Sequence, residues 1–92
     1  MALPTKLTLE IVTPDRSLIR EEVDEVQVPG SEGYLGILPG HTPLLGVLVE
    51  GEVRIKSGEG SQSATIDSGF LSVDRDKVII VAEAVDASHF SA

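Results

Sequence analysis

The sequence predicts an all-β domain, a sandwich or barrel of short strands, on three observations. Gly and Pro interrupt the chain so often that only residues 15–28 and 70–92 run longer than a dozen positions without one, which leaves few places for long helices. Apolar residues alternate with polar ones at a period of two in segment after segment. The 41% apolar content is dominated by Val, Ile and Leu, with only 3% aromatic residues, a composition that suits half-buried strands better than large ligand cavities.

In "KLTLEIV" Leu7, Leu9 and Ile11 alternate with Thr8 and Glu10, as in a strand with one buried face. "DRSLIREEVDEVQV" is ambiguous. Ile19, Val23 and Val26 fall at i, i+4 and i+7 behind Asp15, a possible cap, so an amphipathic helix competes there. Strand is favoured because "VQV" runs into Pro29-Gly30, with the three-residue step from Val23 to Val26 read as a β-bulge. "PLLGVLV" at 43–49 and "KVIIVAEA" at 77–84 are apolar almost throughout and read as central strands. Alternation returns in "EVRIK" with Val53 and Ile55 inward, in "SATID" with Ala64 and Ile66, and in "FLSVD" with Leu71 and Val73. Turn signals recur every eight to twelve residues, the spacing of a sandwich or barrel.

Length and charge narrow the function. At 92 residues the chain is expected to be one domain, 1–92, with a core over about 5–86. A domain of this size buries only about 60–65% of its unfolded surface, so a partner would add materially to its stability. The formal charge of −8, from 15 acidic and 7 basic residues, repels nucleic acid and anionic headgroups. Without cysteine there are no disulfides or thiolate metal sites. "MALPTKLTLE" lacks the apolar core of a signal peptide, and no stretch approaches the roughly 20 apolar residues of a membrane span, so a soluble chain without membrane insertion is expected.

Candidates for chemistry are few. His41 and His89 are the only histidines, and the shape GxSxG is absent, so a Ser31-His41-acid triad has nothing specific behind it. A sharper enzyme alternative is a cupin-like metal site, because "LPGHTPLLGVLVEGEVRI" offers a Pro-Gly turn, a histidine, a strand and a Gly-Glu turn. That site needs a second histidine two positions on, on the same strand face, and a carboxylate soon after. Pro43 holds that position and residues 44–49 contain no acid, so His41 reads better as a turn or interface residue. "GSEGYLG" has the wrong spacing for a dinucleotide loop and "SGEGSQS" lacks the Lys-Ser/Thr of a phosphate loop; both are turns. The acidic run "REEVDE" at 20–25 is a solvated face, with attraction to a basic partner as its functional alternative.

Residues 30–45, "GSEGYLGILPGHTPLL", have a different character. Their glycines permit unusual backbone angles, Pro39 and Pro43 fix φ on either side of His41, and five apolar side chains are too many for a free loop. A short strand, a stiff turn and a second strand follow, a rigid surface with a low ordering cost for binding a protein.

The stretch "VQVPGSEGYLGILPGHTPLL", Val26 to Leu45, resembles the most characteristic segment of the epsilon subunit of the F-type ATP synthase. "GEVRI", "SGFLSV" and "KVIIVAEAV" fall where that family has its later strands and turn, so the resemblance runs from about Leu7 to Asp86. It implies a flattened ten-stranded β-sandwich with "SLIREEVDEVQV" as strand. It also implies a non-catalytic, cofactor-free part of the central stalk that grips the gamma subunit and rests on the polar loops of the c-ring. The complex would lie on the cytoplasmic face of a bacterial inner membrane, or its organellar equivalent.

Transferred by residue, the resemblance makes Ser31, Glu32, Gly33 and Tyr34 the c-ring contact and directs His41 and Thr42 towards gamma. Tyr34 stands where the family often has an acid, leaving Glu32 to meet basic ring loops, with Tyr34 adding apolar area and a polar tip; Glu22 and Glu25 are weaker candidates. The family continues into a two-helix hairpin, whereas this sequence closes with "VDASHFSA", so this polypeptide alone is expected neither to bind ATP nor to inhibit through such an arm. Leu38, Leu44 and the Val47–Val49 run are candidates for an exposed apolar interface, or else for core.

Overall fold

The structure, a computed structural model, describes residues 6–58 and 60–86. Ten strands make up its regular structure: β1 Leu7–Val12, β2 Ser17–Val23, β3 Glu25–Gly30, β4 Gly33–Ile37, β5 Leu44–Leu48, β6 Gly51–Ser57, β7 Gly60–Ile66, β8 Gly69–Asp74, β9 Lys77–Ala82 and β10 Val85–Asp86. They form one hydrogen-bonded path, β10-β7-β6-β3-β5-β8-β9-β1-β2, with β4 paired to β3. The path curls on itself so that its two halves face each other across one apolar core, giving a flattened body of 39 × 28 × 23 Å. All neighbours are antiparallel except β1 and β9, which run parallel from Thr8↔Lys77 to Val12↔Val81 and bring the late chain beside the beginning.

The alternation in the sequence becomes the inner face. Leu7, Leu9 and Ile11 of β1, Val53 and Ile55 of β6, Ala64 and Ile66 of β7, and Leu71 and Val73 of β8 are all buried. Val26 and Val28 of β3, Ile37 of β4, Leu48 of β5, and Val78 and Ile80 of β9 complete the layer. Each Val, Leu or Ile among them contributes about 1.5–3 kcal/mol by leaving water, and among the described residues no polar or charged one shares the core.

Residues 15–28 contain no helix, and the step from Val23 to Val26 is a corner rather than a β-bulge. β2 pairs with β1 and β3 with β4 and β6, so the chain changes layer at Asp24. Asp24 fixes that corner: its N–H donates to the Lys56 carbonyl at 2.7 Å, and its carboxylate accepts from the Gly58 N–H and the Lys6 ammonium, both at 2.6 Å. The Lys6 bond, then the Gly58 bond, lowers the Asp24 pKa from its ordinary 3.8.

β5 and β9 are internal to the strand order, as their apolar runs predict, yet each buries only one face. β8 lies between them, and Gly69 at its start must lack a side chain, since a Cβ there would stand 2.0 Å from the Val81 carbonyl oxygen. The β8–β9 hairpin is closed by two residues, Arg75 (φ 50°) and Asp76 (φ 61°), between the pair Asp74↔Lys77. Two positive φ angles make this a type I′ turn. That conformation costs an L-residue roughly 1 kcal/mol relative to glycine.

Candidate docking surface

Ser31 and Glu32 form the exposed turn between β3 and β4, and Gly33 (φ 123°) and Tyr34 open β4. The base of the turn is tied to β5: Ser31 N–H donates to the Val47 carbonyl at 3.1 Å, and Val49 N–H to the Pro29 carbonyl at 2.9 Å. Tyr34 does not offer its polar tip to the outside. Its hydroxyl donates to the Glu52 carbonyl at 2.9 Å and accepts from the Glu52 N–H at 3.3 Å, while the Arg54 guanidinium lies 4.8 Å from the ring centroid. Arg54 in turn bonds the Glu52 carboxylate at 3.0 Å, which raises the already high Arg54 pKa. Glu52 is thus engaged within the chain, and Glu32 at the exposed tip is the carboxylate the turn presents.

His41 and Thr42 lie in the loop between β4 and β5. His41 N–H closes back on the Leu38 carbonyl at 3.1 Å, and the imidazole Nδ1 sits 2.6 Å from the Thr42 carbonyl, a contact that requires Nδ1 to carry the proton. Gly40, at φ 87°, aims its N–H away from its own loop and onto the Asp76 carboxylate, 2.6 Å distant.

The two groups of predicted contact residues are not brought together. β5 runs from Leu44, opposite Val73, to Leu48, which pairs with both Gly69 and Gly30. His41 and Thr42 precede its first residue, and the 31–34 turn sits beside its last two, Val47 and Leu48. At about 3.4 Å per residue the strand holds them on the order of 14 Å apart, at its two ends.

An apolar face spans that distance. With Leu48, Leu71, Val73, Val78 and Ile80 inward, the outward positions of β5, β8 and β9 are Leu45, Val47, Phe70, Ser72, Ile79 and Val81, with the charged pair Asp74 and Lys77 at the hairpin end. Val47, Phe70 and Val81 lie side by side in register, and Val12 of β1 extends the row beyond Val81. Leu45 is 83% exposed, Phe70 64% and Val47 55%. Leu38 and Val49 are also exposed, as expected of interface candidates, whereas Leu44 is half-buried against the core and Leu48 belongs to it. Leu45, Phe70 and Val81 were not among the sequence candidates. Their signal was available in the alternation, since an inward Leu71 and Val73 oblige Phe70 to face out.

The outward face of β3, β6 and β7 is of opposite character. Glu25, Gln27, Glu52, Arg54, Lys56, Ser61 and Ser63 line a shallow polar groove there, with two acids against two bases. It needs no partner to be stable in water. Glu22 and Glu25 lie on β2 and β3, away from the 31–34 turn.

Among the described residues no group of three His, Cys, Asp or Glu side chains is placed to hold a metal ion, so the cupin alternative gains no support around His41. His89 lies outside the described residues, as do residues 87–92. No described helix is long and apolar enough to cross a membrane.

Residues 6–87 match the family described as "ATP synthase, Delta/Epsilon chain, beta-sandwich domain". The ATP synthase epsilon chain of Solibacter usitatus is 45% identical over 84 residues, 91% of this chain and 63% of that one. That of Myxococcus xanthus is 38% identical over 81 residues, 88% of this chain and 60% of that one. This chain therefore spans about six-tenths of the length of these relatives. In fold it is similar to a chain in the Euglena gracilis mitochondrial ATP synthase OSCP/F1/c-ring assembly, with a TM-score of 0.85 at 24% identity over 92% of this chain and 55% of that one. A match over nearly all of the described sandwich, and relatives well above 30% identity, are decisive: the chain belongs to the ATP synthase delta/epsilon family, of which it is the β-sandwich domain.

Proposed function

We propose that this domain is a non-catalytic element of the central stalk of an F-type ATP synthase, seated between the gamma subunit and the c-ring. It would stand on the cytoplasmic face of a bacterial inner membrane or its organellar equivalent. The observation that carries this reading is the bare apolar face of β5, β8 and β9 on a small, acidic domain of this family. A contiguous apolar patch marks a surface that a partner covers. Gamma would lie along that face and the adjoining His41–Thr42 loop, and the 31–34 turn at the other end would rest on the ring loops.

The mechanism is mechanical. A rotor part transmits torque only if its two contact sites do not slide past each other, and here they are joined by β5 and a closely packed core. Glu32 supplies a charge to basic loops at the ring, and charge at such a rim acts mainly on encounter and register. Neither role requires a cofactor or a bond-making residue.

The test is affinity capture with this chain against gently solubilised membranes of its own host, with bound proteins identified by mass spectrometry. Recovery of gamma together with the c-ring and catalytic subunits is expected. A capture that lacks gamma contradicts the reading. Glu32→Lys should leave the fold intact, because an exposed turn carboxylate contributes little to stability, and should weaken ring docking while leaving gamma binding unchanged. Normal proton-coupled ATP synthesis in that variant would remove Glu32 from the ring contact.

A further inference from the structure

We infer that Asp76, which lies 36 residues beyond Gly40 on another hairpin, is the positioning residue that holds the 38–42 loop in the shape its partner reads. The inference rests on the proposal that His41 and Thr42 face gamma. Asp76 is bound at both of its functional groups. Its carbonyl accepts the Thr8 N–H at 2.8 Å, which fixes the residue to the start of β1, and its carboxylate accepts the Gly40 N–H at 2.6 Å. The loop it reaches lacks core packing, since Leu38, Gly40, Thr42 and Pro43 are all exposed. The loop's own bonds, His41 N–H to the Leu38 carbonyl and His41 Nδ1 to the Thr42 carbonyl, set its local curl. Those bonds do not set its place relative to β8 and β9. The Asp76 carboxylate does, and so relates the His41 imidazole to the apolar face beside it.

The turn itself points to the same conclusion. A two-residue type I′ hairpin favours Asn-Gly, yet Arg75 and Asp76 occupy its centre with φ of 50° and 61°. Glycine at position 76 would suit the turn better and would offer no acceptor to Gly40. Turn preference therefore does not account for an aspartate there, whereas the bond to the loop does. A charged acceptor makes this a stronger tie than a neutral hydrogen bond.

Three variants of the whole chain test the assignment: Asp76→Gly, which relaxes the turn and removes the acceptor; Asp76→Asn, which keeps an acceptor oxygen; and Asp76→Ser, whose side chain is too short to reach. Gly40 amide exchange by NMR reads the tie without any partner, and titration with the gamma subunit of the same complex reads its consequence. In Asp76→Gly and Asp76→Ser, Gly40 exchange should rise and gamma affinity fall, each about tenfold, without a lower Tm for the glycine variant. Asp76→Asn should restore affinity to within about threefold. Unchanged Gly40 exchange in the glycine and serine variants overturns the tie. A loosened Gly40 with undiminished gamma affinity overturns the positioning role. Failure of the unaltered chain to bind gamma overturns instead the reading on which the inference rests.

Discussion

The two outer faces of the sandwich obey the same strand alternation and differ in what they turn outward. On β3, β6 and β7 the outward row is Glu25, Gln27, Glu52, Arg54, Lys56, Ser61 and Ser63, whose opposed charges neutralise one another. On β5, β8 and β9 it is Leu45, Val47, Phe70, Ile79 and Val81, interrupted by Ser72 and closed at the hairpin end by the charged pair Asp74 and Lys77. A chain carrying a net −8 has no shortage of charge, yet it places none among these five positions. The difference shows that burial inside the domain and apolarity are separate requirements: the first face turns polar groups to water, and the second leaves large apolar side chains in it, the surface assigned above to a partner.

The sharpest way to break this comparison uses adjacent residues of one strand. Leu71 is 1% exposed and Phe70 64% exposed. Leu71→Ala should cost about 2–5 kcal/mol of stability, while Phe70→Ala should stay within about 0.5–1 kcal/mol, both measured by urea unfolding. Equal losses would mean that Phe70 packs as core and that the outer face is not free.

The next effect is on binding. Phe70→Asp places a carboxylate at the centre of the apolar row and should weaken gamma binding by roughly thirtyfold or more, the size expected for loss of a central interface residue. Ser61→Asp, beside Lys56 on the polar face, should leave that affinity unchanged. Titration calorimetry with both variants compares the faces directly, and equal weakening would abolish the distinction between them.

The smallest effect concerns the corner that joins the two layers. The Asp24 pKa is lowered below 3.8 by Lys6 and by the Gly58 N–H. A carboxyl with a depressed folded value stabilises the fold fully above its unfolded pKa, and that contribution is lost as pH falls through the folded one. Stability followed from pH 6 downward should therefore decline below about 3.8, and Asp24→Asn should flatten that part of the profile. An unchanged slope in the variant would show that the corner does not depend on the charge.

Much of the fold was legible because alternation is local. Leu7, Leu9, Ile11, Val53, Ile55, Leu71 and Val73 could each be assigned inward from their immediate neighbours. The corner at Asp24 was not, because a three-residue apolar step looks alike as bulge, helix or layer change, and only the partners Lys56 and Gly58 decide it. The site was legible in part. The motif drew attention to Ser31, Glu32, Gly33, Tyr34, His41 and Thr42 but held no information on their separation, which is set by the register of β5. The Tyr34–Arg54 contact and the Asp76–Gly40 bond span 20 and 36 residues and are consequences of topology.

The central claim, that the β5-β8-β9 face is the one a partner covers, is tested most directly by hydrogen exchange of this chain with and without the gamma subunit of its own complex. Added protection over residues 44–49, 69–73 and 78–82, with little change over 60–66, is the predicted result. Protection concentrated on the β6–β7 hairpin, or none on β5 and β8 despite saturating gamma, would contradict it.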